Sequence, residues 1–135
     1  MYILQYCLLG KSEDSSVWIT KASKLIGEAQ YEEAIACLDE AIRLNPENSL
    51  AWHGKGASLE LLKRHEEAIV CFDEAIRLNP EDSDAWHGKG VSLGESSRHK
   101  EAIACLDEAI RLNPEDSDAW HGKGVSLGES SRHKE

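Results

Sequence analysis

Basic residues are in short supply. Lys and Arg total 15 against 25 Asp and Glu, a formal net charge of −10. A nucleic-acid surface needs a basic stripe, and an anionic bilayer recruits polybasic segments, so neither partner is expected. Long apolar runs are missing too; none approaches the roughly 20 residues of a membrane span. The opening stretch MYILQYCLLG is apolar but has no basic flank and no small-residue cleavage site, so no secretory signal is expected. Catalytic signatures are absent: no nucleophile elbow, phosphate loop, Cys-x-x-Cys or HExxH occurs. Gly-Lys-Gly at 54–56, 88–90 and 122–124 lacks the spacing of a phosphate loop. The carboxylates are spread over helix ends and outer faces, with no pair suited to acid–base work. The expectation is a protein that is not an enzyme and carries no cofactor.

Proline is also scarce, and its three copies carry the organisation of the chain. Pro46, Pro80 and Pro114 are 34 residues apart, as are all four tryptophans, Trp18, Trp52, Trp86 and Trp120. The string DEAIRLNPE starts at Asp39, Asp73 and Asp107, and AWHGKG at Ala51, Ala85 and Ala119. A fixed period of this size marks a stacked repeat array. Each period holds two segments with helical apolar spacing, in the second unit about 51–62 and 66–78. The residue before proline is pushed out of the α region, so Asn45, Asn79 and Asn113 end the second segment. Ser49, Ser83 and Ser117 are then expected to cap the next helix. Asp39/Arg43, Asp73/Arg77 and Asp107/Arg111 have the i,i+4 spacing of surface ion pairs.

Cysteine follows the same rhythm. Cys37, Cys71 and Cys105 are one period apart. Packed helices lie roughly 8–10 Å apart, whereas a disulfide needs Cα atoms within about 7 Å. Equivalent cysteines in a stack are therefore expected to be buried small hydrophobes in a reducing, cytoplasmic setting.

These residues closely resemble the tetratricopeptide repeat family. The match is clearest in Trp52, Gly56, Ala68, Phe72, Ala75 and Pro80. It recurs in Trp86, Gly90, Ala102, Leu106, Ala109 and Pro114, and in Trp18, Ala22, Ala34, Leu38, Ala41 and Pro46. The resemblance implies an all-α fold, a right-handed α-solenoid of antiparallel helix pairs. It places repeats at 15–48, 49–82 and 83–116, with the first helix of a further repeat at 117–135. The chain departs from the family pattern in three places. Lys21, Lys55, Lys89 and Lys123 stand where leucine is usual, and Leu25, Leu59, Leu93 and Leu127 where tyrosine is usual. The glycine of the turn within the repeat is replaced by Ala29, Lys63, Ser97 and Ser131. Gly94 and Gly128 come earlier, where glycine weakens a helix end by up to about 1 kcal/mol relative to alanine.

Residues 1–14 form an apolar segment. Subtracting one period from Leu38, Ala41 and Ile42 gives Leu4, Cys7 and Leu8, the pattern of a second helix; a disordered tail and an irregular apolar cap are the alternatives. A stack with unpaired outer helices would expose Tyr2, Leu4 and Leu8 at one end and Trp120 and Leu127 at the other. These complementary surfaces suit self-assembly, either head-to-tail or as an exchanged dimer.

The family resemblance also implies a concave groove lined by the first helices, and hence a protein or peptide partner. Its lining is expected to include His53, Ala57, Glu60, Asp84, His87, Val91, Glu95, His121 and Val125. The histidines form a ladder, read either as half-exposed polar groups or as a pH-sensitive contact for a bound segment. One ion cannot bridge helices about 10 Å apart with ligand bonds of about 2 Å, so no metal is expected. Chaperone-binding family members clamp a C-terminal carboxylate with Lys, Asn and Arg. The matching positions here are Ile19, Ser23, Gly54, Asp84 and Gly88, and none supplies such a residue. His65, His99 and His133 are expected in the turns within repeats, replacing a packing aromatic at the position of Tyr31.

Overall fold

The computed structural model describes residues 14–132, which form seven α-helices and, among them, no strand. These are α1 (Ser15–Gly27), α2 (Tyr31–Leu44), α3 (Ser49–Leu61), α4 (His65–Leu78), α5 (Ser83–Glu95), α6 (His99–Leu112) and α7 (Ser117–Arg132). Odd-numbered helices begin at 15, 49, 83 and 117, one period apart. The segment 1–13, with Tyr2, Leu4 and Leu8, and His133 lie outside the described residues.

Small residues set the close approach of the helices. Ala34, Ala41, Ala51, Ala68, Ala75, Ala85, Ala102, Ala109 and Ala119 have no exposed surface. Large side chains fill the intervals: Trp18, Leu38, Leu59, Phe72, Leu93 and Leu106 are all buried. The core is therefore a row of small clusters running along the stack rather than one central mass. Each cluster joins neighbouring helices only, which is the nearest-neighbour energetics of a repeat array.

Within a repeat the helices are joined by a tight reversal. Ala29, Lys63 and Ser97 take positive φ (59°, 64° and 63°). The N–H of Gln30 donates to Leu25 O (2.8 Å), and Arg64 and Arg98 donate likewise to Leu59 and Leu93 (2.9 Å each). That is the six-to-one bond of a Schellman C-cap, which favours glycine at the left-handed position. The chain adopts it with three other residue types. α7 instead continues as helix through Ser131. His65 and His99 are not turn residues as expected; each is the first residue of a second helix, half-buried like Tyr31.

Between repeats the expected stop is present and the expected cap is not. Asn45 is extended (φ −147°, ψ 90°), and its side-chain oxygen accepts from Glu47 N–H at 3.2 Å. The caps are then Asn48, Asp82 and Asp116, not Ser49, Ser83 and Ser117, which already lie in the first turn. Asp82 Oδ1 accepts from Asp84 and Ala85 N–H at 3.1 and 3.3 Å. Asn and Asp reach these amides as well as serine does, so two adjacent cap-forming types competed and the first prevailed. The indole N–H of Trp52, Trp86 and Trp120 donates to the carbonyl of Pro46, Pro80 and Pro114, each at 2.9 Å, tying the joint to the helix that follows.

The surface pairs also differ from expectation. Arg43, Arg77 and Arg111 bond to Glu40, Glu74 and Glu108, three residues back. The aspartates Asp39, Asp73 and Asp107 instead meet Lys55, Lys89 and Lys123 of the next repeat at 2.6, 2.5 and 2.6 Å. The lysine that stands at the family's usual leucine position is thus a cross-repeat contact. Arginine hydrogen bonds hold Glu40, Glu67, Glu101 and Glu108 below the ordinary carboxylate range. A depressed folded-state value means stability that is present above the unfolded value and lost as pH falls through the folded one. Glu67 and Glu101 are exposed and Glu40 and Glu108 are half-buried at the surface, so the contribution of each is small.

Candidate binding groove

The first helices of successive repeats, α1, α3, α5 and α7, touch one another side by side. The backbones of the second helices α2, α4 and α6 come close only to the first helices that flank them. A stack that is closer together along one row bends toward that row, so the first helices line the concave side.

His53, Ala57, Glu60, His87 and Val91 lie half-buried on α3 and α5, while Asp84, Glu95, His121 and Val125 are exposed. Two of the histidines are engaged. His53 Nδ1–H donates to Asp82 Oδ2 at 3.0 Å, and His87 Nδ1 lies 3.5 Å from Asp116 Oδ2. Asp82 therefore caps α5 with one oxygen and holds the preceding repeat's histidine with the other. His53 also meets Phe72 edge-on, with ring centroids 5.9 Å apart. The ladder is half groove lining and half repeat-to-repeat latch. Sequence reasoning missed the latch, although Asp82 and Asp116 recur 29 residues after each histidine.

The predicted groove residues do not all converge. A cleft of about 540 Å³ between α5, α6 and α7 gathers Val91, Glu95, His121 and Val125. Leu106, His99, Glu129, Ser97, Ser126 and the glycines 90, 94 and 122 complete it. His53, Ala57, Glu60, Asp84 and His87 lie outside this cleft, on the preceding stretch of the concave face. Gly94 sits inside α5, where it opens space: a Cβ there would meet only Ser126 Oγ at 3.5 Å and Ala102 Cβ at 3.9 Å.

On α7 the other face is uncovered among the described residues. Trp120 is 50% exposed and Leu127 48%, whereas Trp18 is 4% and Leu59 and Leu93 are at most 1%. Gly56 and Gly90 abut Phe72 and Leu106, but Gly124 meets nothing within 4 Å.

Cys37, Cys71 and Cys105 are buried, and the thiols of Cys71 and Cys105 are poor nucleophiles. Burial pushes the Cys71 thiol up to about 11 and raises that of Cys105 as well. Only the thiolate is nucleophilic. No helix among the described residues is long and apolar enough to cross a membrane.

Paired antiparallel helices at a fixed period, with a continuous concave face, define an α-solenoid repeat protein. Tetratricopeptide repeat profiles match residues 15–48, 49–82 and 71–104, and the chain belongs to that family. No curated protein matches it significantly. Solved structures resemble it closely in fold. The TPR domain of Arabidopsis OM64 superposes with a TM-score of 0.82 at 24% identity, covering 83% of this chain and 93% of that one. The first TPR of Spaghetti (RPAP3), bound to the HSP90 peptide SRMEEVD, gives 0.84 at 21% identity, covering 89% and 96%. The second TPR domain of human RPAP3, in complex with the HSP70 peptide SGPTIEEVD, gives 0.80 at 20% identity, covering 84% and 95%.

Proposed function

We propose that this chain is a non-catalytic scaffold that binds a protein segment along the concave face of α3, α5 and α7. The observation that carries the reading is the accessible row of His53, Ala57, His87, Val91, His121 and Val125 on helices that pack side by side. Such a surface has no chemistry of its own but offers a long continuous contact. Structures of the same fold hold peptides, which supports a peptide partner here. An EEVD-type tail is not the partner we propose. Ile19, Ser23, Gly54, Asp84 and Gly88 supply no cation for a terminal carboxylate, and Asp84 repels one. The buried thiols of Cys71 and Cys105 suit a reducing compartment, and a cytoplasmic location is part of this proposal.

The test is selection of binders from a random peptide library, followed by amide hydrogen exchange on the complexes. Slowed exchange is expected in α3, α5 and α7, and the triple variant His53→Ala, His87→Ala, His121→Ala should lose roughly tenfold or more in affinity. Protection confined to α4 and α6, with full affinity in the triple variant, overturns the groove assignment.

A second reading, self-assembly, rests on the uncovered Trp120–Leu127 face of α7. The proposed occupant is a second copy of this chain, whose Leu4, Cys7 and Leu8 have second-helix phase. Mass measured by light scattering should then rise with concentration, and Leu127→Glu should hold the protein monomeric. A wild-type monomer at every concentration sinks this reading.

A further inference from the structure

We infer that the cleft between α5, α6 and α7 is a subsite for one aromatic side chain, carried by a segment with a basic residue beside it. The inference rests on the groove reading above and specifies what its far end accepts.

The internal repeat supplies the argument. One period earlier the corresponding space is filled by the protein's own ring. Phe72 is buried between α3 and α5, so close that a Cβ on Gly88 would lie 2.4 Å from the ring, and one on Gly56 3.0 Å. At the next interface Leu106 replaces Phe72, and Gly94 replaces Glu60. Gly122, the counterpart of Gly88, meets Leu106 only at 3.4 Å. Side-chain volume is thus missing from both the floor and the mouth, and an open cleft of about 540 Å³ takes its place.

The lining matches an aromatic guest. Leu106 is an apolar floor, Val91 and Val125 are apolar walls, and Gly94 and Gly122 expose backbone for a flat ring to lie against. Val125 is 52% exposed, so covering it by a ligand removes apolar surface from water. The formal charges are of one sign: Glu95 and Glu129 line the cleft beside the imidazoles of His99 and His121, and no Lys or Arg does. Glu129 bonds to Arg132 at 3.2 Å, while Glu95 forms no ion pair among the described residues. With a chain charge of −10, the site favours a cationic neighbour to the ring.

The probe is the dipeptide acetyl-Phe-Arg-amide, titrated into the full chain and followed by NMR shifts of the Val91 and Val125 methyls and the Gly94 and Gly122 amides. Saturable shifts at these positions are expected, with acetyl-Ala-Arg-amide at least roughly fivefold weaker and acetyl-Phe-Glu-amide weaker again. Leu106→Phe fills the cleft from within, as Phe72 does one repeat earlier, and should abolish the shifts. Val125→Lys, at an exposed position, repeats the test should Leu106→Phe misfold, and should weaken binding roughly tenfold. Equal binding of the Phe and Ala probes, or unchanged binding in Val125→Lys, overturns the proposal. Library-selected peptides protecting α3 and α5 but leaving the four cleft reporters unmoved would sink the subsite and leave the groove reading standing.

Discussion

Replacing Phe72 by alanine should lower the stability of the array by about 3–5 kcal/mol, the usual cost of deleting a buried phenyl ring and leaving a cavity. Phe72 is among the largest fully buried side chains, and it belongs to the cluster shared by α2, α3, α4 and α5. It also packs edge-on against His53, which holds the cap of α5 through Asp82. The loss therefore falls on the interface between two repeats. A repeat array has only nearest-neighbour contacts, so a weak interface opens locally before the rest unfolds. Hydrogen exchange should accelerate most in α3, α4 and α5 and least in α1. Phe72→Leu should cost far less, because Leu38 and Leu106 hold the corresponding position in neighbouring repeats and are themselves fully buried. A Phe72→Ala variant within about 1 kcal/mol of wild type in urea unfolding would refute this account of the interface.

How much of this was legible beforehand divides along the range of the interaction involved. The helices, their ends near Asn45, Asn79 and Asn113, and the burial of the cysteines follow from local rules and a 34-residue period. In the second unit the expected segments began at about 51 and 66, and the helices begin at 49 and 65. What failed depended on choices between near-equal partners. Asp73 has Arg77 on its own helix and Lys89 on the next repeat, and it pairs with Lys89. Sequence spacing shows only the first option. Asp82 and Ser83 are both good caps, and the chain used Asp82, which frees its second oxygen for His53.

The groove shows the same division. Phase alone placed His53, Val91 and Val125 on the first helices, and they are accessible there. Phase did not show that His53 and His87 are held by Asp82 and Asp116, because each contact joins a first helix to the cap of the following first helix, 29 residues on. Nor did it show the cleft, which exists because Leu106 is smaller than Phe72 and Gly94 smaller than Glu60. Volume differences between repeats are visible in the sequence, but their consequence depends on which backbone faces them.

That dependence gives the sharpest remaining prediction. The sequence AWHGKG is identical in three repeats, yet the same Gly→Ala change at its first glycine should have opposite outcomes. A helical Gly→Ala gains up to about 1 kcal/mol from propensity. At Gly122 the new Cβ would stand 3.4 Å from Leu106, and at Gly54 3.3 Å from Leu38, so a small adjustment of a leucine tip suffices. Gly122→Ala and Gly54→Ala should be neutral or stabilising. At Gly88 the Cβ would lie 2.4 Å from the Phe72 ring. The ring is rigid and is backed by Gly56, whose own Cβ position is only 3.0 Å from it, so it has nowhere to retreat. Overpacking of this kind costs about 1–3 kcal/mol, which exceeds the propensity gain, and Gly88→Ala should be net destabilising. The double variant Gly88→Ala, Phe72→Leu restores the leucine-facing geometry found at Gly54 and Gly122. It should be more stable than the sum of the two single changes by about 1–2 kcal/mol, the coupling expected of residues in direct contact. Additive effects in that cycle, or destabilisation of equal size at Gly54, Gly88 and Gly122, would show that Phe72 does not set the spacing of α3 and α5.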